Sequence, residues 1–350
     1  MQKLLNIIVV LILFTACSSK ENVEALSPQT EKTSELRKLT KTIEVIEKFY
    51  IDKIERYELV NLTIQGMLAE LKGELNSDLV NSLKKEYKKS SDSKDECYTK
   101  LKKTMEDISN NTTYNLEETI NTALTVLMDN LDTYSTYINK NIKIKGHTET
   151  LHLKPFYSEI IYDKYLYLRV GTFDSKTVNN IKHEVLNGNG RAEGIVLDLR
   201  DNTGGLFKQA IATVDLFVNK GLIISQRGRD TNNVTRYRAS SKKTISNLPL
   251  VVLVNKKSAS ASEIVSGALQ DLDRAIIVGE RTFGKGTIQA LIPITEDKKE
   301  LIKLTIARYY LPNGRPVNNK VVPDIEVLES DFNNNNFDTL LDAAIGNISN

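Results

Sequence analysis

The stretch "LPLVVLVNKKSASASEIVSGALQD", residues 248–271, carries the repeating unit of the fold in one line. Its apolar run, uninterrupted until Asn255, reads as a strand buried on both faces. A serine-rich turn follows, and "ASEIVSGALQD" then sets apolar residues at helical spacing. The same texture precedes it. "GIVLDLR" (194–200) is a second buried strand with the helix "LFKQAIATVDLFV" behind it, and "KYLYLRVGTF" (164–173) leads into the helix "SKTVNNIKHEVL". "LIISQRG", "AIIVGE", "TIQALIPI" and "LIKLTIARYYL" add further strands, and "YRAS" (237–240) a short partner. The fold class is α/β with mixed strand order.

The chain before this region differs. "TIEVIEKFY" and "ELVNLTIQGMLAEL" place Ile43, Ile46, Leu59, Leu62, Met67 and Leu71 on helical faces. "NLEETINTALTVLMDNLDTYSTYI" repeats the flavour of the second, as two core-facing helices would. Residues 72–110 are rich in lysine with Glu and Asp interleaved, the pattern of a solvated helix face. The division is therefore 17–38 as a flexible polar tether, 39–139 as a helical N-terminal region, 140–330 as the α/β core, and 331–350 as a tail with the short helix "FDTLLDAAIGNI".

The 350 residues are 40% hydrophobic and 26% charged, enough to bury a core, and a net charge of +2 gives no argument for nucleic acid. "MQKLLNIIVVLILFTACSSK" has Lys3, an apolar run and small residues ending at Cys17. The run is short for a bilayer span and has signal-peptide anatomy. Ending on cysteine, residues 1–16 resemble a bacterial lipoprotein signal. That implies lipidation of Cys17, a membrane anchor, and a periplasm-facing place in the cell envelope. Cys97 is then the remaining cysteine, and no Cys/His cluster has zinc spacing, so no metal or cofactor is expected.

The chemistry starts with Ser258, Ser260 and Ser262 at the strand-to-helix turn. Ser260 and Glu263 have capping-box spacing, a structural job. The same turn can also project a nucleophilic hydroxyl beside the free N–H groups of a helix start. Such a serine needs a base. His147 and His152 lie in a polar link and His183 on a charged helix. Lysine is the other option, but a free lysine near pKa ~10.4 is protonated at neutral pH and must be lowered by burial. Lys285 in "GERTFGKGTIQ" lies between apolar strands and is the candidate. Gly279, Gly284 and Lys285 also fit a phosphate-cradling loop, but Gly286 stands where that loop needs Ser or Thr, and a strand follows instead of a helix. "DLRDNTGG" (198–205) supplies a glycine turn through which backbone N–H groups can approach a reacting carbonyl.

Together and in this order, "GIVLDLRDNTGG", "LPLVVLVNKKSASASEIVSGALQD", "RAIIVGERTFGKGTIQ", "KLTIARYYLPNGRPV" and "VVPDIEV" resemble the carboxyl-terminal processing peptidases, the tail-specific proteases. The resemblance is dense over about residues 160–328, and "NLDTYSTYI" resembles the motif that closes the family's helical region. It implies a crotonase-like (ClpP/crotonase-type) core and a serine endopeptidase acting on polypeptides near C-termini or in unfolded segments. It makes Ser260 the nucleophile, Lys285 the general base and Gln289 the residue that orients it. The backbone N–H groups of Gly205 and Ala261 become the oxyanion hole. The family's PDZ domain is missing here: Ile138 reaches "KYLYLRV" through about 25 residues, below the ~50 that a domain needs. A catalytically weak or partner-dependent peptide-binding lipoprotein with the same fold is the alternative. Besides polypeptide substrates and the membrane, the expected partnership is self-association into a homo-oligomer or binding of an adaptor protein.

Overall fold

The computed structural model describes residues 28–71, 93–140, 155–188, 191–230, 232, 234–328 and 339–348. Cys17, His147, His152 and the lysine-rich residues 72–92 lie outside the described residues.

Among the described residues, the N-terminal region holds four helices: α1 (Pro28–Phe49), α2 (Arg56–Glu70), α3 (Lys94–Asn111) and α4 (Leu116–Asp129). Ser93 and Asn115 cap α3 and α4 by accepting from the N–H groups of Glu96 and Glu118, both at 3.2 Å. Leu39, Ile43, Leu59, Met67, Leu101, Ile120 and Leu124 are fully buried in the shared core. Cys97 is buried there too, as a small apolar residue of α3. Gly66 lets α2 approach α4: a Cβ there would lie 2.7 Å from Ala123 Cα.

Here the structure corrects the tether. The helix begins at Pro28, not after residue 38. Its polar sequence hides the reason. Lys38 is buried between Glu35 at 2.9 Å and Glu300 at 3.1 Å, and so pins α1 to the loop before a strand of the α/β core. Burial pushes the Glu35 carboxyl above its ordinary range, against the pull of Lys38.

Among the described residues the core holds two sheets. One is antiparallel and built on the long strand β10 (Leu301–Tyr310). β9 (Thr287–Pro293) pairs along one edge of β10. β1 (Thr136–Ile138) and β5 (Leu222–Gly228) share the other edge, and β6 (Val234–Arg238) lies beyond β5. Of the expected partner "YRAS", Tyr237 and Arg238 end this β6.

The second sheet has the order β11-β8-β7-β4-β3-β2. β3 (Tyr165–Val170), β4 (Gly194–Asp198), β7 (Leu250–Val254), β8 (Ile276–Gly279) and β11 (Ile325–Glu326) run parallel, and β2 (Phe156–Ile161) is antiparallel at the edge. β2 falls in what the sequence presents as a polar link. As an edge strand with exposed Tyr157 and Ile160 it lacks a clear alternation of buried positions.

β4 and β7 are buried at every position because both faces of the sheet are covered. Ile195, Leu197, Leu250, Val252 and Ile277 face the main core, with α5 (Thr177–Gly188), α6 (Phe207–Asp215) and α7 (Ala261–Asp271). Val196, Val251, Leu253 and Val278 face the other way, onto Leu340 and Ala344 of α8 (Thr339–Ile348). The C-terminal helix is thus a packed layer rather than a loose tail. Crossovers between parallel strands leave the loops after β3, β4, β7 and β8 together at the carboxyl ends of the strands, where open α/β sheets put their sites.

Candidate active site

The three serines separate by backbone and burial. Ser258 and Ser262 are fully buried. Ser258 Oγ donates to Leu199 O at 2.8 Å and accepts from Asn255 N–H at 2.9 Å. Ser262 Oγ donates to Asn202 O at 2.9 Å. Both hydroxyls fasten the loop after β4 to the turn after β7. Ser260 is half-buried and sits at φ 55°, ψ −108°, an unusual conformation for a residue with a Cβ. Strain of this kind costs roughly 1–3 kcal/mol and persists only where surroundings impose it.

Glu263 does much of the imposing. Its carboxylate is fully buried and takes four donors. Oε2 accepts the Ser260 N–H and the Lys285 N–H, each at 2.8 Å. Oε1 accepts the Gly284 N–H and the Thr282 hydroxyl, each at 2.6 Å. One carboxylate therefore holds the backbones of Ser260 and Lys285, which belong to different loops. Burial raises its pKa above 4.5, while the bonds from Thr282, Lys285, Ser260 and Gly284 pull it back. The capping spacing read from sequence is real but is only part of its role. Carboxyl contacts across 19 to 22 residues have no signature in a single sequence.

The glycine turn after β4 closes on Ser260. Gly204 has φ +114°, and a Cβ on it would lie 2.9 Å from Ser260 Cβ and 3.2 Å from Ala261 N. Gly205, at φ +141°, leaves room for the Phe173 carbonyl, which a Cβ would meet at 2.3 Å. Asn202, fully buried, sets the turn: its Oδ1 accepts the Gly204 N–H and its carbonyl the Ala259 N–H. Ala261 N–H opens α7 and so has no intrahelical acceptor. Neither it nor Gly205 N–H donates to any described residue.

Below this turn Asp198, fully buried, accepts from Tyr167 OH at 2.6 Å and from the Arg200 guanidinium at 2.6–3.0 Å. Arg169 adds a longer contact of 3.3 Å. These groups anchor the loop's root, and burial together with the Asp198 charge drives the Tyr167 hydroxyl pKa upward.

Lys285 is half-buried, and its Nζ lies 5.9 Å from the ring centroid of Tyr134 in the segment before β1. No hydrogen bond joins Nζ to Ser260 Oγ or to Gln289 in this structure. The Gln289 amide nitrogen donates instead to Thr287 Oγ1 at 2.8 Å and to Thr305 Oγ1 at 3.3 Å. Thr305 is in turn held by Asp132 and Ser135 of the helical region, at 3.1 Å for Asp132 Oδ1. The structure thus brings Ser260, Ala261, Gly205 and the Lys285 backbone together, and places Gln289 on the adjoining strand without contact to Lys285. Tyr134 and Asn202 are site residues that spacing does not reveal, and the capping spacing of Glu263 reveals only part of its role. His183 is exposed and, among the described residues, bonds to Glu184 and Asn187 of its own helix.

Residues 164–327 match the model of peptidase family S41, and residues 12–77 that of the activating protease CtpB N-terminal domain. The chain is 44% identical over 167 residues to a carboxy-terminal-processing protease of Bartonella bacilliformis, covering 46% of this chain and 38% of that one. It is 40% identical over 177 residues to a chloroplastic C-terminal processing peptidase of Tetradesmus obliquus, covering 47% and 36%. The aligned part is thus under two fifths of the length of either relative. A photosystem II D1 C-terminal processing protease shares the fold at TM-score 0.57 and 20% identity, over 84% of this chain and 93% of that one. A lipoprotein from Streptococcus agalactiae does so at TM-score 0.57 and 14% identity, over 94% and 99%. By its ordered motifs and these matches, the region 164–327 is that of a peptidase family S41 member.

Proposed function

We propose that the chain is a serine endopeptidase of the cell envelope, anchored through Cys17, that uses Ser260 and Lys285 as a catalytic pair. The observation that carries the reading is the shared Glu263 carboxylate, which ties a strained Ser260 to the Lys285 loop. Ser260 Oγ attacks a peptide carbonyl carbon as its proton passes to Lys285 Nζ. The oxyanion takes the free N–H groups of Gly205 and Ala261. As the C–N bond breaks, Lys285 returns that proton to the leaving amine and an acyl-enzyme remains. Lys285 then takes a proton from water, whose oxygen attacks the acyl carbon, and Ser260 recovers its proton on release. Gln289, fixed by Thr287 and Thr305, keeps the strand after Lys285 in place.

The test is incubation of the purified full chain with an unfolded polypeptide such as casein, reading new termini by mass spectrometry. Discrete cleavages are expected. A chain that is folded, free of inhibitor and still unable to cut any unfolded polypeptide would overturn the reading.

The absence of a Ser260–Lys285 hydrogen bond favours a second reading, in which a substrate or a membrane partner completes the pair. Cleavage that appears only after adding back a membrane extract would support it.

Glu263→Gln is expected to lower kcat by about 10²-fold with little change in KM, since an amide turns an NH₂ toward two of the four donors. Because burial raises this carboxyl above 4.5, acid should inactivate the wild type at a pH above the ordinary glutamate range, as the clamp takes up a proton. The Glu263→Gln variant should lack that limb. The linkage to stability has the opposite sign. Between 4.5 and the raised value the folded state holds the extra proton, so this group's contribution to stability is lost as pH rises. A Glu263→Gln variant with wild-type kcat and an unchanged acid limb would show that the clamp does not position the pair.

A further inference from the structure

The antiparallel sheet carries a second concentration of chemistry, away from Ser260. Arg227, Arg229, Arg236 and Arg308 line one concave pocket of about 460 Å³, walled by Ile51 and Tyr310. Arg308 stands directly opposite Arg227 in the β10–β5 register. Like charges so placed oppose folding. Arg227 stacks on the Tyr310 ring at 4.1 Å, and its Nε is buried without a hydrogen-bond partner among the described residues. Arg229 donates to the Lys48 carbonyl at 2.9 Å. Among the described residues, the carboxylate paired with this group is Asp52, which meets Arg308 in a two-pronged contact at 2.7 and 3.1 Å. Asp52 is itself 55% exposed. Among those residues, three guanidinium groups are left facing one concavity without a carboxylate, and the fourth already displays how a carboxylate docks.

The pocket's position gives the ligand. Arg308 lies opposite Thr287, and Thr287 shares a strand face with Gln289 and follows Lys285 by two residues. Beside it, β6 pairs with β5 alone among the described strands, so its outer edge offers backbone groups to an extended polypeptide. A lipid headgroup would have no use for that edge. Residues 139–155, between β1 and β2, are too few for a separate carboxylate-binding domain.

We propose that the four-arginine pocket binds the terminal α-carboxylate of a polypeptide whose preceding residues run along the β6 edge. The proposal rests on the peptidase reading for its biological use, but not for its test. Binding is measured by fluorescence anisotropy on the full chain carrying Ser260→Ala, so that no turnover is needed. The probe is a labelled unstructured peptide, made once with a free C-terminal acid and once as its amide.

The free acid should bind about tenfold more tightly than the amide. Arg227→Ala with Arg236→Ala should bring the acid down to the amide's affinity and leave the amide unmoved. Arg227→Lys with Arg236→Lys, which keeps charge and loses the planar fork, should fall between. Equal binding of acid and amide would overturn the proposal. So would an acid preference untouched by both double variants, or arginine-dependent binding to phosphatidylglycerol vesicles without an acid preference. An acid preference in a chain that cuts nothing would instead overturn the peptidase reading and leave the pocket standing.

Discussion

Ser260→Ala is expected to abolish cleavage of an unfolded polypeptide, a loss on the order of 10³-fold or more in kcat, while Ser258→Ala and Ser262→Ala keep most of it. The asymmetry follows from what each hydroxyl does. Ser258 and Ser262 are spent on Leu199 and Asn202 carbonyls in a fully buried turn. Removing either leaves buried backbone groups short of a partner, at about 1–3 kcal/mol of stability. Those two variants should therefore melt lower yet turn over substrate within about tenfold of wild type. Ser260 is the half-buried member, held in a left-handed conformation beside the two unclaimed N–H groups of Gly205 and Ala261. A Ser260→Ala protein that cuts as fast as wild type, or a Ser258→Ala protein that is folded and inactive, would move the nucleophile elsewhere.

The second large effect concerns Lys285. Lys285→Ala and Lys285→Arg are both expected to lose on the order of 10³-fold in kcat. The arginine variant decides between two roles for the cation. Arg keeps the charge and the backbone contact to Glu263 but stays protonated at any working pH, so it cannot accept the serine proton. If Lys285 served only as a positive charge near the oxyanion, arginine would restore much of the rate. Measuring kcat and KM for both variants on one peptide, with thermal unfolding as the check on folding, separates these outcomes. Recovery in Lys285→Arg to within about tenfold of wild type would exclude lysine as the base.

Much of the fold is legible in the chain because the parallel sheet is covered on both faces. That makes β7 an unbroken apolar run and β4 one broken only at its exit by Asp198, and each is followed by an amphipathic helix. What is not legible depends on partners distant in sequence. The start of α1 reads as a polar tether because its anchor, the burial of Lys38 between Glu35 and Glu300, needs a carboxylate from the far end of the chain. β2 escapes notice because this edge strand is thinly covered and has no fully buried position to mark an inner face.

The site divides the same way. The motifs bring out Ser260, Lys285, Gly205 and Ala261 as a group, but three alternating serines are equivalent by spacing. The family resemblance names the middle one, and the positive φ and the hydrogen-bond partners set it apart physically. Glu263 is visible at its capping distance, yet its bonds to Thr282, Gly284 and Lys285 exist only once two loops meet. Tyr134, which lies against Lys285, sits in the "NLDTYSTYI" motif of the helical region, but nothing in that motif ties it to Lys285.

The most direct measurement of the central claim is the location of the acyl group. The full chain is treated with a peptide β-lactone, a reagent whose ring opening leaves an ester on the attacking oxygen, and the digest is mapped by mass spectrometry. One adduct on Ser260 is predicted, absent in Lys285→Ala at neutral pH. An adduct on Ser258, Ser262 or Cys97, or full cleavage activity after Ser260 has been esterified, would contradict the account.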